Sequence, residues 1–334
     1  MMSKRDKFSE RKNAGAIGGI MRSRVKNHTK HLSVRTRRNY LRACKSFDDW
    51  RKRVGVSNKN VAKEPVRYVE TWRDYLLEQG YSTGTIHTYI AGVCCGLAIP
   101  MSGITRSGTS LDKRKSLGTC ARAQRALLRP ENADIVAFQR MVGGRRAALQ
   151  RLTSSDFLLD ESGQWCVRFV NDKGGKSQLQ RIAPEDVGKV KAYFDSVAPD
   201  ALVFPHQIDR NLDLHDLRAE HARQEYEHYA KICATPEGRT EMRRQLWARY
   251  KDPIYGCKAW LSAQQRGDQA GMRHAERAFA DEMADGIYYL QRANRKVALE
   301  RGRPIGYDRL ALCCVSVFAL SHWRNEVTVK HYML

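Results

Sequence analysis

The sequence predicts a mainly α-helical protein with a small β-hairpin or sheet, an α+β fold. Three observations support this fold class. Apolar residues recur at three- and four-residue steps through much of residues 31–100, the spacing of amphipathic helices. Apolar, β-branched and aromatic runs flank an Asn/Asp/Gly cluster at 171–175, the pattern of a hairpin. Residues 219 to about 305 form a charged stretch of helical composition.

Residues 1–30 are rich in lysine, arginine, glycine and serine and predict a basic N-terminal arm. The first nine residues lack an apolar segment, so we expect no secretory signal. The longest apolar run, Leu310–Leu320, is about half as long as a membrane span requires. We therefore expect a cytoplasmic protein with no membrane partner.

Residues 31–100 predict a domain of three helices. The first follows Ser33, the second runs from about Pro65 to Gln79, and the third follows Ser82. The first helix has an apolar face that we expect in the core: Tyr40, Cys44, Phe47, Trp50 and Val54. Its opposite face is basic, and a row of cations on one helical face is suited to contact a polyanion such as DNA. The five side chains expected to make this contact are Arg35, Arg37, Arg38, Arg42 and Lys45.

A polar, basic linker is predicted over 101–125, ahead of a second domain over 126–334. Its basic run is a further expected DNA contact: Lys113, Arg114 and Lys115. The second domain begins with helical sequence over 133–152, broken at Gly143 and Gly144. The predicted hairpin follows, with strands over 165–170 and 178–182.

Charge provides the strongest indication of a partner. The 334 residues include 59 Lys and Arg against 36 Asp and Glu, a net charge of +23. Such an excess indicates a polyanionic partner, most often nucleic acid, although a ribosome-type or merely basic protein is the alternative. With a nucleic-acid partner, the protein is expected to be nucleoid-associated. The nine cysteines include no C-x-x-C pair and no zinc-site spacing, so free thiols and no metal site are expected.

One short stretch combines a helix start with reactive side chains: His215-Asp216-Leu217-Arg218. Asp213 is a suitable N-cap for this helix, since short acceptor side chains favour that position. His215 and Arg218 are three residues apart and therefore share a helical face. A single His-x-x-Arg pair is usually structural, so a functional interpretation depends on other motifs in the sequence.

Further motifs lie on both sides of this box. Gly143-Gly144-Arg145 is followed by Leu149, Leu152 and Asp156, a register that selects Arg145 over Arg146. The other three motifs are a lysine turn, a Leu-Ser-His box and a late tyrosine: Lys173-Gly174-Gly175-Lys176, Leu320-Ser321-His322 and Tyr332. In this order the motifs resemble those of the tyrosine recombinases, or phage-integrase family. The helical domain at 31–100 is similar to the family's core-binding domain, and 126–334 to its catalytic domain.

The resemblance implies six catalytic residues: Arg145, Lys173, His215, Arg218, His322 and Tyr332. Tyr332 would attack a DNA phosphorus, His215 would accept the tyrosyl proton, and Lys173 would protonate the leaving 5′ oxygen. His322 would hydrogen-bond the phosphate or stabilise the transition state. Lys176 remains an alternative to Lys173 and is otherwise expected to contact DNA.

Two guanidiniums suit this reaction because negative charge accumulates on the non-bridging oxygens of the phosphate. Arg145 and Arg218 would supply permanently charged, forked donors to those oxygens. The reaction then needs no metal and no cofactor, and no acidic cluster accompanies these motifs in the sequence.

The resemblance implies a site-specific recombinase or integrase of a mobile element, which cleaves and rejoins duplex DNA through a 3′-phosphotyrosyl intermediate. It would act as a homotetramer, with a dimer on each DNA site. Two alternatives are a type IB-like topoisomerase, which reseals the same strand, and a non-catalytic DNA-binding relative.

Two departures from the family pattern concern the end of the sequence. A helical insertion of about 222–305 separates Arg218 from His322, and it would serve as a DNA clamp, a partner-docking module or a passive elaboration. Only Met333 and Leu334 follow Tyr332 here. Exchange of C-terminal helices between subunits is therefore doubtful, and whether Tyr332 acts in cis or in trans stays open.

Overall fold

The computed structural model describes residues 17–105, 121–172 and 176–334. This part of the chain is mostly helical with two small antiparallel sheets, which confirms the α+β class. The chain forms two compact units, residues 1–114 and 115–334. None of the helices in the described ranges is long and apolar enough to cross a membrane.

The first unit contains five described helices: α1 (Ile17–His28), α2 (Val34–Arg53), α3 (Asn58–Lys63), α4 (Pro65–Glu78) and α5 (Thr83–Leu97). Ser33 and Ser82 begin α2 and α5, and each side chain accepts a hydrogen bond from a backbone N–H of the first turn. These caps satisfy donors that a helix start leaves unpaired, which confirms the predicted starts. Phe47 and Trp72 meet edge to face in the core, with ring centroids 5.3 Å apart.

The predicted arm is partly wrong. Residues 17–28 form α1, which buries Met21 and Val25 in the same core as α2 and α5. The basic composition of this stretch concealed the four-residue apolar spacing from Ile17. Val54 was also misplaced, because α2 ends at Arg53 and leaves Val54 50% exposed.

The basic face of α2 is a stripe of exposed cations. Arg35, Arg38, Arg42 and Lys45 are all exposed and follow one another at three- and four-residue steps, so they share one face of the helix. Arg37 is half-buried and lies off this stripe. The other predicted DNA contacts of this region, Lys113, Arg114 and Lys115, fall outside the described residues.

The second unit contains eleven described helices and five strands. The helices are α6 (Ala121–Leu127), α7 (Ala133–Val142), α8 (Arg146–Leu149), α9 (Val187–Asp195), α10 (Leu214–Ile232), α11 (Pro236–Lys251), α12 (Lys258–Gln265), α13 (Gln269–Glu282), α14 (Arg292–Glu300), α15 (Arg309–Cys314) and α16 (Asn325–Thr328). The strands are β1 (Phe157–Leu159), β2 (Trp165–Asp172), β3 (Lys176–Arg181), β4 (Ile287–Tyr289) and β5 (Gly306–Asp308). Helices α15 and α16 each continue into a π-helical turn, Val315–Ala319 and Val329–Met333.

The predicted hairpin is confirmed as β2 and β3, with Phe169 opposite Gln178. Strand β1 adds to the β2 edge, and β4 and β5 form a separate two-stranded sheet. Strands β1, β4 and β5 were not predicted, because each is only three residues long and shows little alternation of apolar and polar residues.

Residues 222–305 are built into the second unit. Arg249 of α11 is buried and bonds the carboxylates of Asp160 and Glu161 beside the three-stranded sheet, at 2.9 and 3.0 Å. Its guanidinium also donates to the main-chain oxygen of Leu179 on β3. Leu246 and other buried side chains of this region belong to the same apolar core as the helix α15. The stretch predicted as an insertion therefore supports the elements that carry the C-terminal motifs.

Candidate functional site

Arg145 is placed by the end of α7. Gly143 ends this helix with a φ of +65°, and a Cβ there would lie 2.3 Å from Cδ2 of His221. Glycine is therefore required by both backbone conformation and space. Arg145 then donates from Nη1 to the Asp172 carboxylate and, at 3.0 Å, to the Gln178 side-chain oxygen. These two partners fix the guanidinium against β2 and β3.

Arg218 joins three parts of the site. Asp213 caps α10 as predicted, accepting from the N–H groups of His215 and Asp216. One turn later Arg218 is only 2% exposed. It donates to the main-chain oxygen of Gly143 and, at 2.9 Å, to that of Leu320.

This burial lowers the pKa of the Arg218 guanidinium, and the nearby Tyr332 opposes that shift. An arginine stays charged at physiological pH even so. Arg218 therefore places a fixed positive charge beside Tyr332.

Tyr332 lies among three of the predicted residues. It is 5% exposed, and its ring centroid is 5.2 Å from that of His215 and 5.9 Å from that of His322. The guanidinium carbon of Arg218 is 5.4 Å from the same ring centroid. The phenol is thus enclosed by two imidazoles and a guanidinium.

One cavity of about 550 Å³ is lined by five of the six predicted catalytic residues: Arg145, His215, Arg218, His322 and Tyr332. They come from four separate segments of the sequence. Lys173 lies outside the described residues, directly after Asp172. Lys176 begins β3, and its side chain is not among those described.

Arg146 also lines this cavity, but its partners differ from those of Arg145. It donates to the main-chain oxygens of Asp209, at 2.8 Å, and of Leu212. These bonds hold the loop that precedes α10. Arg146 therefore has a structural task, as Arg218 also does through its bonds to the oxygens of Gly143 and Leu320.

Several polar residues of the site were missed: Arg210 and His331 line the cavity, and Asp172, Gln178 and Gln180 hold its walls. Asp172 and Gln178 hold Arg145, and Gln180 donates to the main-chain oxygen of Ala319 beside the Leu-Ser-His box. Gln178 and Gln180 are two residues apart on β3, and both are buried. The period-two spacing of these amides was the available signal, since alternate strand residues share a face.

Ser321 has a φ of +52°, in the left-handed region that favours glycine. The Ser321 hydroxyl also donates to the main-chain oxygen of Leu179 at 3.3 Å, and both glycine and alanine lose this bond. We therefore predict that Ser321→Gly has a higher free energy of unfolding than Ser321→Ala, by about 0.5–1 kcal/mol, because only alanine keeps the strain of the left-handed backbone. Thermal unfolding measures the difference. As a control, Ser196→Gly at an ordinary φ of −76° is expected to be less stable than Ser196→Ala. A Ser321→Gly variant no more stable than Ser321→Ala would count against strain at this residue.

Across the described ranges, no group of three or more His, Cys, Asp and Glu side chains is arranged to hold a metal ion. A comparison with protein-family models finds no match to this chain. A comparison with curated proteins finds no significant match either.

Proposed function

We propose that this chain is a site-specific DNA recombinase, the integrase of a mobile element, which cleaves and rejoins duplex DNA through a 3′-phosphotyrosyl intermediate. One observation carries the proposal: a single cavity is lined by five of the predicted catalytic residues, Arg145, His215, Arg218, His322 and Tyr332. The charge of +23 and the exposed cation stripe on α2 agree with a polyanionic substrate.

The chemistry starts with a phosphodiester held by Arg145 and Arg218. The Tyr332 oxygen forms a bond to phosphorus while the bond from phosphorus to the 5′ oxygen breaks. His215 takes the tyrosyl proton, and Lys173 gives a proton to the leaving 5′ oxygen. Two guanidiniums stabilise the charge that grows on the non-bridging oxygens, so these steps are complete without a metal or a cofactor.

Rejoining reverses these steps with the 5′ hydroxyl of a second strand. The energy of the phosphodiester is kept in the phosphotyrosyl bond, so no nucleotide cofactor is required. Exchange between two sites needs four active sites, which we propose are supplied by a homotetramer with a dimer on each duplex. Residues 31–100 would bind the duplex as a core-binding domain, with α2 facing the phosphates.

A nicked duplex tests the proposal. The bound site is first located by footprinting on DNA selected from a random pool, and nicks are then placed at successive positions within it. A nick just beyond the scissile phosphate lets the short 5′-hydroxyl fragment leave, so that the covalent protein–DNA adduct accumulates on a denaturing gel. Strand joining between two different duplexes supports recombination, whereas resealing of the same strand alone supports a topoisomerase. No adduct at any nick position would refute both enzymatic functions.

The pH dependence tests the role of His215. Partial burial lowers the pKa of this imidazole, with the charges of Arg218 and Arg145 acting in the same direction and Asp213 opposing them. His215 is therefore neutral at pH 7 and able to accept a proton. We predict that the single-turnover rate of adduct formation is flat near pH 7. It should then fall on acidification, as pH passes below the ordinary histidine value of about 6.5.

His215→Gln provides the control for this profile. It should lower the rate by about 10²-fold or more and remove the acidic limb, since glutamine does not titrate. A His215→Gln variant that keeps the acidic limb of the wild-type profile would assign the titration to another group.

A further inference from the structure

Tyr332 lies in residues 329–334, here called the tyrosine segment. The last main-chain oxygens of this segment accept hydrogen bonds from side chains elsewhere in the second unit. Carbonyls in the last turn of a helix have no partner within the helix. Here Arg223 donates to the oxygen of Tyr332 at 3.0 Å, and Tyr307 to that of Met333 at 3.2 Å. Arg301 donates to the main-chain oxygen of Leu334 at 3.2 Å. Three successive carbonyls are therefore capped.

The donors are themselves held in place. Tyr307 lies on β5, is buried, and packs edge to face on Tyr226, with ring centroids 5.1 Å apart. The hydroxyl of Tyr226 accepts from the N–H of Asp308 at 2.8 Å, which ties β5 to α10. Two of the three donors, Arg223 and Arg301, are cations at the C-terminal end of a helical segment, where positive charge is favourable.

We infer that Arg223, Arg301 and Tyr307 are positioning residues, which hold Tyr332 in the cavity of its own chain. The inference rests on the proposed function, since it concerns delivery of the nucleophile. None of the three touches the reacting atoms; they act through the backbone of residues 332–334. Arg223 and Arg301 lie within residues 222–305, and Tyr307 lies just beyond them. Residues 222–305 therefore help to cap the tyrosine segment and so deliver Tyr332 in cis. This role differs from the three expected ones, a passive elaboration, a DNA clamp or a docking module.

Tyr307→Phe tests the cap with the smallest change, because it removes one hydroxyl and keeps the buried ring. We expect the single-turnover rate of adduct formation to fall about fivefold, the effect of one hydrogen bond of about 1 kcal/mol. Amide hydrogen exchange in residues 329–333 should become faster, while DNA affinity stays unchanged. Arg301→Gln, at an exposed side chain, should show the same pattern without a risk to folding.

Matched controls use the same substitutions at exposed residues of the same region. Tyr289→Phe, at a side chain that is 61% exposed, and Arg292→Gln should leave both the adduct rate and the exchange unchanged. If Tyr307→Phe and Arg301→Gln both form adduct at the wild-type rate, the inference fails while the proposed function stands. If the wild-type protein forms no adduct, the proposed function fails and the inference with it.

Mixing two inactive variants tests delivery in cis. Tyr332→Phe retains a complete cavity without a nucleophile, and Arg218→Lys retains the tyrosine beside a damaged cavity. Delivery in cis predicts that the mixture forms no more adduct than the variants do separately. Adduct restored by mixing would show delivery between subunits and would overturn the inference.

Discussion

Replacing Tyr332 with phenylalanine is expected to abolish covalent adduct formation while DNA binding is kept. The variant loses only the phenolic oxygen, and its ring still fills the space among His215, His322 and Arg218. Without that oxygen no bond to phosphorus forms, so the cleavage rate should fall by about 10⁴-fold or more. The dissociation constant for duplex DNA should change by less than about threefold, since phosphate contacts dominate affinity.

A nicked duplex and a denaturing gel measure the adduct, and a mobility-shift titration at fixed salt measures binding. Tyr81→Phe, at an exposed tyrosine of the first unit, is the matched control and should behave as wild type. An adduct that persists in Tyr332→Phe would show that another side chain is the nucleophile.

Arg218→Lys is expected to damage both stability and catalysis. Lysine keeps the positive charge but cannot reproduce the two donations to the oxygens of Gly143 and Leu320. Buried carbonyls left without partners should lower the free energy of unfolding by about 2–4 kcal/mol. For a unit of this size that corresponds to a melting temperature lower by about 5–12 °C.

The same change should slow adduct formation by about 10³-fold, because lysine has fewer N–H groups than arginine and cannot bond a phosphate oxygen in addition to the two main-chain oxygens. Rates are compared well below the lower melting temperature, so that unfolding does not contribute. Arg210→Lys, at an exposed arginine lining the same cavity, is the control and should change stability by less than about 0.5 kcal/mol. Wild-type cleavage by Arg218→Lys would remove this residue from the catalytic role.

Much of the local structure could be predicted because it depends on short-range chemistry. Ser33, Ser82 and Asp213 cap helices through hydrogen bonds to neighbouring residues, so the signal and the structure lie in the same few positions. The β2–β3 hairpin likewise follows from adjacent alternating runs. Helix α1 was missed because basic residues, which are exposed or half-buried in the structure, stand between its apolar positions.

Long-range contacts account for most of what the sequence did not reveal. The ion pair between Arg249 and Asp160 joins residues 89 positions apart, and nothing near either residue indicates the other. The bonds from Arg223 and Tyr307 to the tyrosine segment are of the same kind. Motif order predicted the residues that line the cavity, whereas the groups that hold them needed the tertiary structure.

Residues 222–305 depart from the motif spacing of the family that the sequence resembles, but they are not a separate module in the structure. They look like an insertion because they separate two motifs. In the structure, however, they share a core with the helix that precedes His322. Trp247, Tyr250 and Phe279 form an aromatic cluster there, in which Tyr250 stacks on Phe279 at 4.2 Å between ring centroids. Removing this stretch would expose that core as well as free the tyrosine segment.

The central claim is that Tyr332 becomes covalently attached to DNA. Mass spectrometry of the trapped adduct, after protease and nuclease digestion, tests it most directly. The account predicts a nucleotide attached through its 3′ phosphate to Tyr332, in the peptide that begins at His331. An adduct attached to any other residue, or no adduct from the wild-type protein on a nicked site that it binds, would contradict it.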